Sequence, residues 1–183
     1  MITIVQSHSR RAHLHEAIRT RWPRASISVA DSLSLVEHAA CVLEQAAAAA
    51  SDGWACRLED DAASVSGPLE LDDLAESAPE DAVFLALASR PGATEGWSRT
   101  RRPAMLGWML RVETIPSLTA FLAEWHSLAC VPITIGEAYP SPMRHGLSAA
   151  IAEWLADGES VAYEHGPTLL AHPDAEPSIW RPR

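Results

Sequence analysis

An α/β fold is what this sequence predicts: a mostly parallel central sheet flanked by helices, in one compact domain over residues 1–183. Three observations predict it. Short β-branched or apolar runs alternate with stretches of helical spacing. Hydrophobic residues are 48% of the 183, enough for a sizeable core within the usual span of one domain. No linker-like stretch and no internal repeat divides the chain.

Taken in order, residues 2–5 read as a short buried strand and residues 10–21 as a helix ended by Trp22-Pro23. Residues 26–29 alternate like a second strand. Asp31 or Ser32 is placed to cap a helix whose apolar positions include Leu35, Val36, Ala39, Val42 and Leu43, and which stops near Asp52-Gly53. Residues 54–58 form a third strand that runs directly into Glu59-Asp60-Asp61. An acidic helical turn is expected within 66–80, and the continuous apolar run 82–87 reads as a central strand. Residues 90–103, with four arginines, read as a loop, and 105–112 as another strand. Thr114 is placed to cap a helix carrying Leu118, Phe121, Leu122 and Trp125. A proline-rich connection at 130–142, a helix at 147–156, a strand at 160–163 and an irregular tail from Gly166 complete the chain.

Composition narrows the functions open to it. A formal charge of −10 argues against broad nonspecific nucleic-acid binding, which needs a basic face. The chain has no lysine, so its permanent side-chain cations are all arginines, and several cluster at 10, 11, 19, 21 and 24 and at 99, 101 and 102. A GC-rich coding source explains that bias most simply. The cysteines, Cys41, Cys56 and Cys130, include no C-x-x-C pair, so buried thiols are expected. No apolar run approaches the ~18 residues of a spanning helix, and the start shows no leader-like pattern. No membrane association is therefore expected, and the cytoplasm is the default location. The sequence contains no G-x-S-x-G, P-loop or G-x-G-x-x-G element. His13 and His15, two apart, fall on different helix faces and are not expected to share a metal.

The strongest chemical signal is Glu59-Asp60-Asp61 after an apolar strand. Ligands of open α/β sheets bind beyond the carboxyl ends of strands. Three adjacent acids repel one another unless a cation or solvent intervenes. A hard divalent ion answers that repulsion, and Mg²⁺ takes one or two carboxylates together with substrate phosphates. The competing reading is a solvated acidic turn.

Leu58-Glu59-Asp60-Asp61 resembles the motif of GT-A glycosyltransferases related to the lipopolysaccharide family (family twenty-five). It is more similar still to a set of small phage and actinobacterial glycosyltransferases. Their pattern of a strand and an arginine-paired loop is matched by residues 2–5 and Gln6-Ser7-His8-Ser9-Arg10-Arg11. A later stretch is matched by Leu87-Ala88-Ser89-Arg90-Pro91-Gly92, and a terminal element by Pro167-Thr168-Leu169-Leu170-Ala171-His172. The resemblance implies a GT-A-like domain and a metal, Mn²⁺ or Mg²⁺, held by Asp61 with Glu59 and His172. It also implies a nucleotide-diphosphate sugar donor lined by Ser7, Arg10, Arg11, Glu59, Arg90 and Trp108. Trp97 is a second ring able to stack on a base or sugar.

Where the family often carries an acid ahead of its late helix, this chain has Ser148. Glu137, with Asp60, stands in as the catalytic carboxylate expectation. The implied reaction is sugar transfer to a hydroxyl, with a modified base in phage DNA as one acceptor. Alternatives are a degenerate nucleotide-sugar binding module or a metal-dependent phosphoryl-transfer or hydrolytic enzyme.

Overall fold

The structure, a computed structural model, describes residues 1–50, 52–89, 91–129, 146–158 and 160–172. The expectations for Arg90, Cys130 and Glu137 fall outside the described residues. In chain order the first half is β1 (Ile2–Ser7), a 3₁₀ turn (Ser9–Leu14), α1 (His15–Arg21), β2 (Ser26–Val29), α2 (Leu35–Ala49), β3 (Trp54–Glu59), β4 (Ala63–Ser64) and α3 (Leu71–Glu76). The rest is β5 (Ala82–Ala86), β6 (Gly96–Thr100), β7 (Gly107–Arg111), a 3₁₀ turn (Val112–Thr114), α4 (Ile115–Ala129), α5 (Leu147–Asp157), β8 (Val161–Gly166) and β9 (Leu170–Ala171).

Seven strands form one sheet in the order β2-β1-β3-β7-β5-β8-β6, and β4 pairs with β9 separately. β1, β2 and β3 are mutually parallel, and β5 and β8 run with them; β7 and β6 are reversed. The expected mostly parallel sheet with flanking helices is borne out. One face is covered by α2, α4 and α5, whose Val42, Leu43, Leu118, Ile151 and Leu155 pack on Ile4, Phe84, Trp108 and Leu110. The other face packs Ile18 of α1 and Trp22 against Val5, Leu58 and Met109, with α3 adding Leu71 and Leu74 at the rim.

Five local expectations need correction. The helix expected over 10–21 splits at Arg11 (φ −107°, ψ 16°), because that side chain turns inward and breaks the α spacing. α2 is capped by Ser34, not by Asp31 or Ser32. Ser34 Oγ accepts from the Glu37 N–H while Glu37 Oε2 accepts from the Ser34 N–H, so two orphan donors are satisfied at once. Asp31 instead accepts from the Ser9 N–H. Residues 90–103 are not all loop. β6 lies within them, because Gly96 to Thr100 find their partners in β8, from Gly166 to Ala162. The described part of the tail is not irregular, since β9 pairs with β4. Thr114 does not act as the expected cap acceptor, because its hydroxyl donates to the Arg111 carbonyl.

Candidate metal centre

β1 and β3 are neighbours in parallel register, with Gln6 opposite Glu59. Their carboxyl ends therefore open at the same edge, and Ser7 and the acidic run leave the sheet side by side. Ser7 Oγ donates to Asp60 Oδ2 at 2.9 Å. Because the single hydroxyl proton is spent there, His15 Nε2, 3.1 Å away, is the donor to Ser7 Oγ. Arg11 Nη1 lies 2.8 Å from Asp60 Oδ1 and 2.9 Å from Asp61 Oδ2. The three side chains are only 3%, 7% and 8% exposed, so this is a buried charge cluster. Asp60, with both oxygens accepting, is arranged as a fixed anion, which does not suit the catalytic role expected of it.

A second guanidinium serves Glu59. Arg57, two residues earlier on the same face of β3, donates through Nε to Gln6 Oε1 at 2.7 Å. Its Nη1 donates to the Met105 carbonyl at 2.8 Å and to Glu59 Oε1 at 3.2 Å. Burial raises the Glu59 carboxyl above the ordinary range; Arg57 opposes that shift and Asp61 adds to it. Three carboxylates (Glu59, Asp60, Asp61) thus face two guanidiniums (Arg11, Arg57), leaving one formal negative charge. Much of the repulsion that seemed to require a cation is offset by arginine. Arg57 was missed from sequence, although a charged residue at an inward position of an apolar strand was a usable signal.

The third contributor arrives from the C-terminal side. Ala171 and Leu170 pair with Ala63 and Ser64, the Val65 N–H donates to the Leu169 carbonyl, and the Leu169 N–H donates to the Leu87 carbonyl. Leu170 packs onto Gly107, where any Cβ would collide with its side chain and with that of Leu58. This stitching sets His172 Nδ1 3.3 Å from Asp61 Oδ1, although His172 is 55% exposed. The approach is not hydrogen-bond geometry, and Asp61 Oδ1 is buried with no hydrogen-bond partner. One ligand atom from each of Glu59, Asp61 and His172 lies within 4.8 Å of the others. An orphaned carboxylate oxygen, a second carboxylate and an imidazole at this spacing are a donor set suited to a divalent cation.

The remaining expected site residues are placed less favourably. Arg11 does not face a nucleotide phosphate; it is consumed by Asp60 and Asp61. Trp108 is 0% exposed, stacked on Phe84 in the core, and offers no face to a sugar. Arg10 is exposed beside the site. Trp97 is half-buried at the far edge of the sheet, edge-on to His165, with Nε1 donating to Ser77 Oγ.

No family model matches the chain, and no curated protein sequence matches it. Its architecture is shared with solved structures. A197 from STIV superposes with a TM-score of 0.56 at 9% identity, covering 94% of this chain and 86% of that one. A glycosyltransferase involved in the glycosylation of the major capsid of PBCV-1 superposes with a TM-score of 0.53 at 11% identity, covering 96% of each chain. At these identities the likeness is one of fold alone, and it is a fold that a glycosyltransferase also has.

Proposed function

We propose that this protein is a divalent-metal-dependent glycosyltransferase that moves a sugar from a nucleotide-diphosphate donor to a hydroxyl acceptor. The observation that carries this reading is the convergence of Glu59, Asp61 and His172 at the carboxyl edge of the sheet, with Asp61 Oδ1 lacking a hydrogen-bond partner. The shared fold with a glycosyltransferase supports it, as do the motifs resembling the small phage enzymes and family twenty-five. When bound, Mn²⁺ or Mg²⁺ supplies Lewis-acid stabilisation of the departing diphosphate. Arg11 holds Asp60 and Asp61 in place and lowers their mutual repulsion. Ser7 and His15 fix the second oxygen of Asp60. Arg10, exposed beside Ser7, is available to a donor phosphate.

The acceptor to which the motif resemblance points is a modified base in phage DNA. Exposed arginines at 10, 19, 24 and 101 offer local positive charge for it on an otherwise acidic protein.

Thermal unfolding with UDP, GDP, dTDP and CDP, in Mn²⁺ and in excess chelator, tests the donor site. One nucleotide should raise the melting temperature only with the metal, and Asp61→Asn should remove that rise without lowering the unliganded melting temperature by more than a few degrees. Equal stabilisation in chelator would overturn the metal's role.

A further inference from the structure

We propose that Glu164, on β8, is the carboxylate that accepts the proton of the incoming hydroxyl. This role rests on the transfer reaction proposed above. Alternation along β8 places Ala162 in the core under α2, α4 and α5 and Tyr163 in the opposite one, so Glu164 points to the α2–α4–α5 face. Arg57 lies on that face too, over the Trp108 ring, and Glu59 follows it two residues on. Glu164 is directly opposite Ala86, Ala86 opposite Trp108, and Trp108 opposite Arg57. The two charged residues are thus three strand spacings apart, about 14 Å between backbones. Ala86 contributes only a methyl group between Glu164 and Trp108.

Glu164 Oε2 is sealed from solvent with no hydrogen-bond partner, while the residue as a whole keeps partial exposure. Trp108 Nε1, two strands away on the same face, is likewise buried without a partner. Glu59, Asp60 and Asp61 each have a guanidinium; Glu164 has no ion pair and no side-chain hydrogen bond among the described residues. A buried carboxylate oxygen without a partner is uncommon, and such atoms are kept where chemistry uses them.

In the step assigned to it, the bond from the anomeric carbon to the diphosphate oxygen breaks, and the electron pair leaves with the nucleoside diphosphate. The acceptor oxygen bonds to the anomeric carbon, and its proton passes to Glu164 and then to solvent. The Glu59–Asp61–His172 cluster serves the leaving group and Glu164 the nucleophile, so the two ends of the reaction fall on the two halves of the sheet.

Hydrolysis of UDP-glucose, UDP-N-acetylglucosamine and GDP-mannose in Mn²⁺ tests this, with water as the acceptor and Glu164→Gln as the variant. The expected result is a rate at least ~100-fold below wild type. Mn²⁺-dependent stabilisation by UDP or GDP should be unchanged, and the melting temperature no lower than that of wild type. A rate within a few-fold of wild type would remove Glu164 from the chemistry and leave the transfer reading intact. Loss of nucleotide stabilisation alongside the rate would make Glu164 a donor-site residue and overturn the proposal. A wild type that binds nucleotide but turns over none of these donors would remove the reaction itself, and with it the role. Should Glu164→Gln melt well below wild type, Glu164→Ala replaces it with formate as an added base; a rate restored by formate supports the role, and a rate that formate leaves unchanged overturns it.

Discussion

The two halves of the sheet handle charge in opposite ways. In β2-β1-β3 the strands are all parallel, and the charges lie inside: Arg11, Arg57, Asp60 and Asp61 are all buried. In β7-β5-β8-β6 two strands are reversed, and the interior is Phe84, Leu85, Trp108, Met109 and Leu110. The main ion pair of that half, Arg99 with Asp81, is on the surface, at 68% and 47% exposure. Burying ions costs several kcal/mol each unless they are closely paired, so the first half is stable only while its charges compensate. The second half depends on apolar area and close packing. A scaffold that needed only stability would not concentrate its ions beneath one end of the sheet.

The largest test of this contrast is Arg11→Met. It leaves Asp60 and Asp61 buried without their guanidinium, and breaking such a pair costs about 3–5 kcal/mol. Denaturant unfolding in chelator should show that loss, and Mn²⁺ should recover part of it by taking over the compensation. A loss below ~1 kcal/mol in chelator would mean that the cluster is solvated after all. On the other half, Gly166→Ala should cost about 1–3 kcal/mol, because a Cβ there runs into the Thr94 backbone carbonyl and the chain must shift. Its cost should be the same in chelator and in Mn²⁺, since no charge is involved. If Mn²⁺ changed it, the β8 edge and the metal site would be coupled.

The same division governs what could be read from sequence. The strands of the first half and β5 follow from local runs, because each is bounded by its own alternation or apolar stretch. β6, Gly-Trp-Ser-Arg-Thr, has no such pattern and exists through its pairing with β8. The reversal of β7 is also a long-range outcome, set by which neighbours it finds and not by its own residues. At the site, the acidic run and His172 were legible as motifs, but the direction of Arg11 was not. An arginine after a strand looks the same whether it reaches for a phosphate or folds back onto two aspartates 49 and 50 positions away. Glu164 was invisible, since an unsatisfied oxygen is a property of packing.

The smallest expected effect concerns pH, where the two halves should respond with opposite sign. Glu59 is pushed up mainly by burial, against the pull of Arg57. Asp81 is pulled down, first by the hydrogen bond from the Tyr163 hydroxyl and then by Arg99. For an acid whose folded pKa is raised, stability is fully present below the unfolded value, ~4.3 for Glu, and is lost as pH rises through the folded value. For an acid whose folded pKa is lowered, stability is present above the unfolded value, ~3.9 for Asp, and is lost as pH falls through the folded value. In chelator, Glu59→Gln should therefore gain on wild type as pH rises above about 4.3. Asp81→Asn should instead lose less than wild type as pH falls below about 3.9. The two difference curves, measured by denaturant unfolding at a series of pH values, should bend on opposite sides of that interval. If Glu59→Gln tracked wild type across the upper range, the carboxylate would be as well solvated as Asp81, and the division between an ion-bearing half and an apolar half would lose its electrostatic basis.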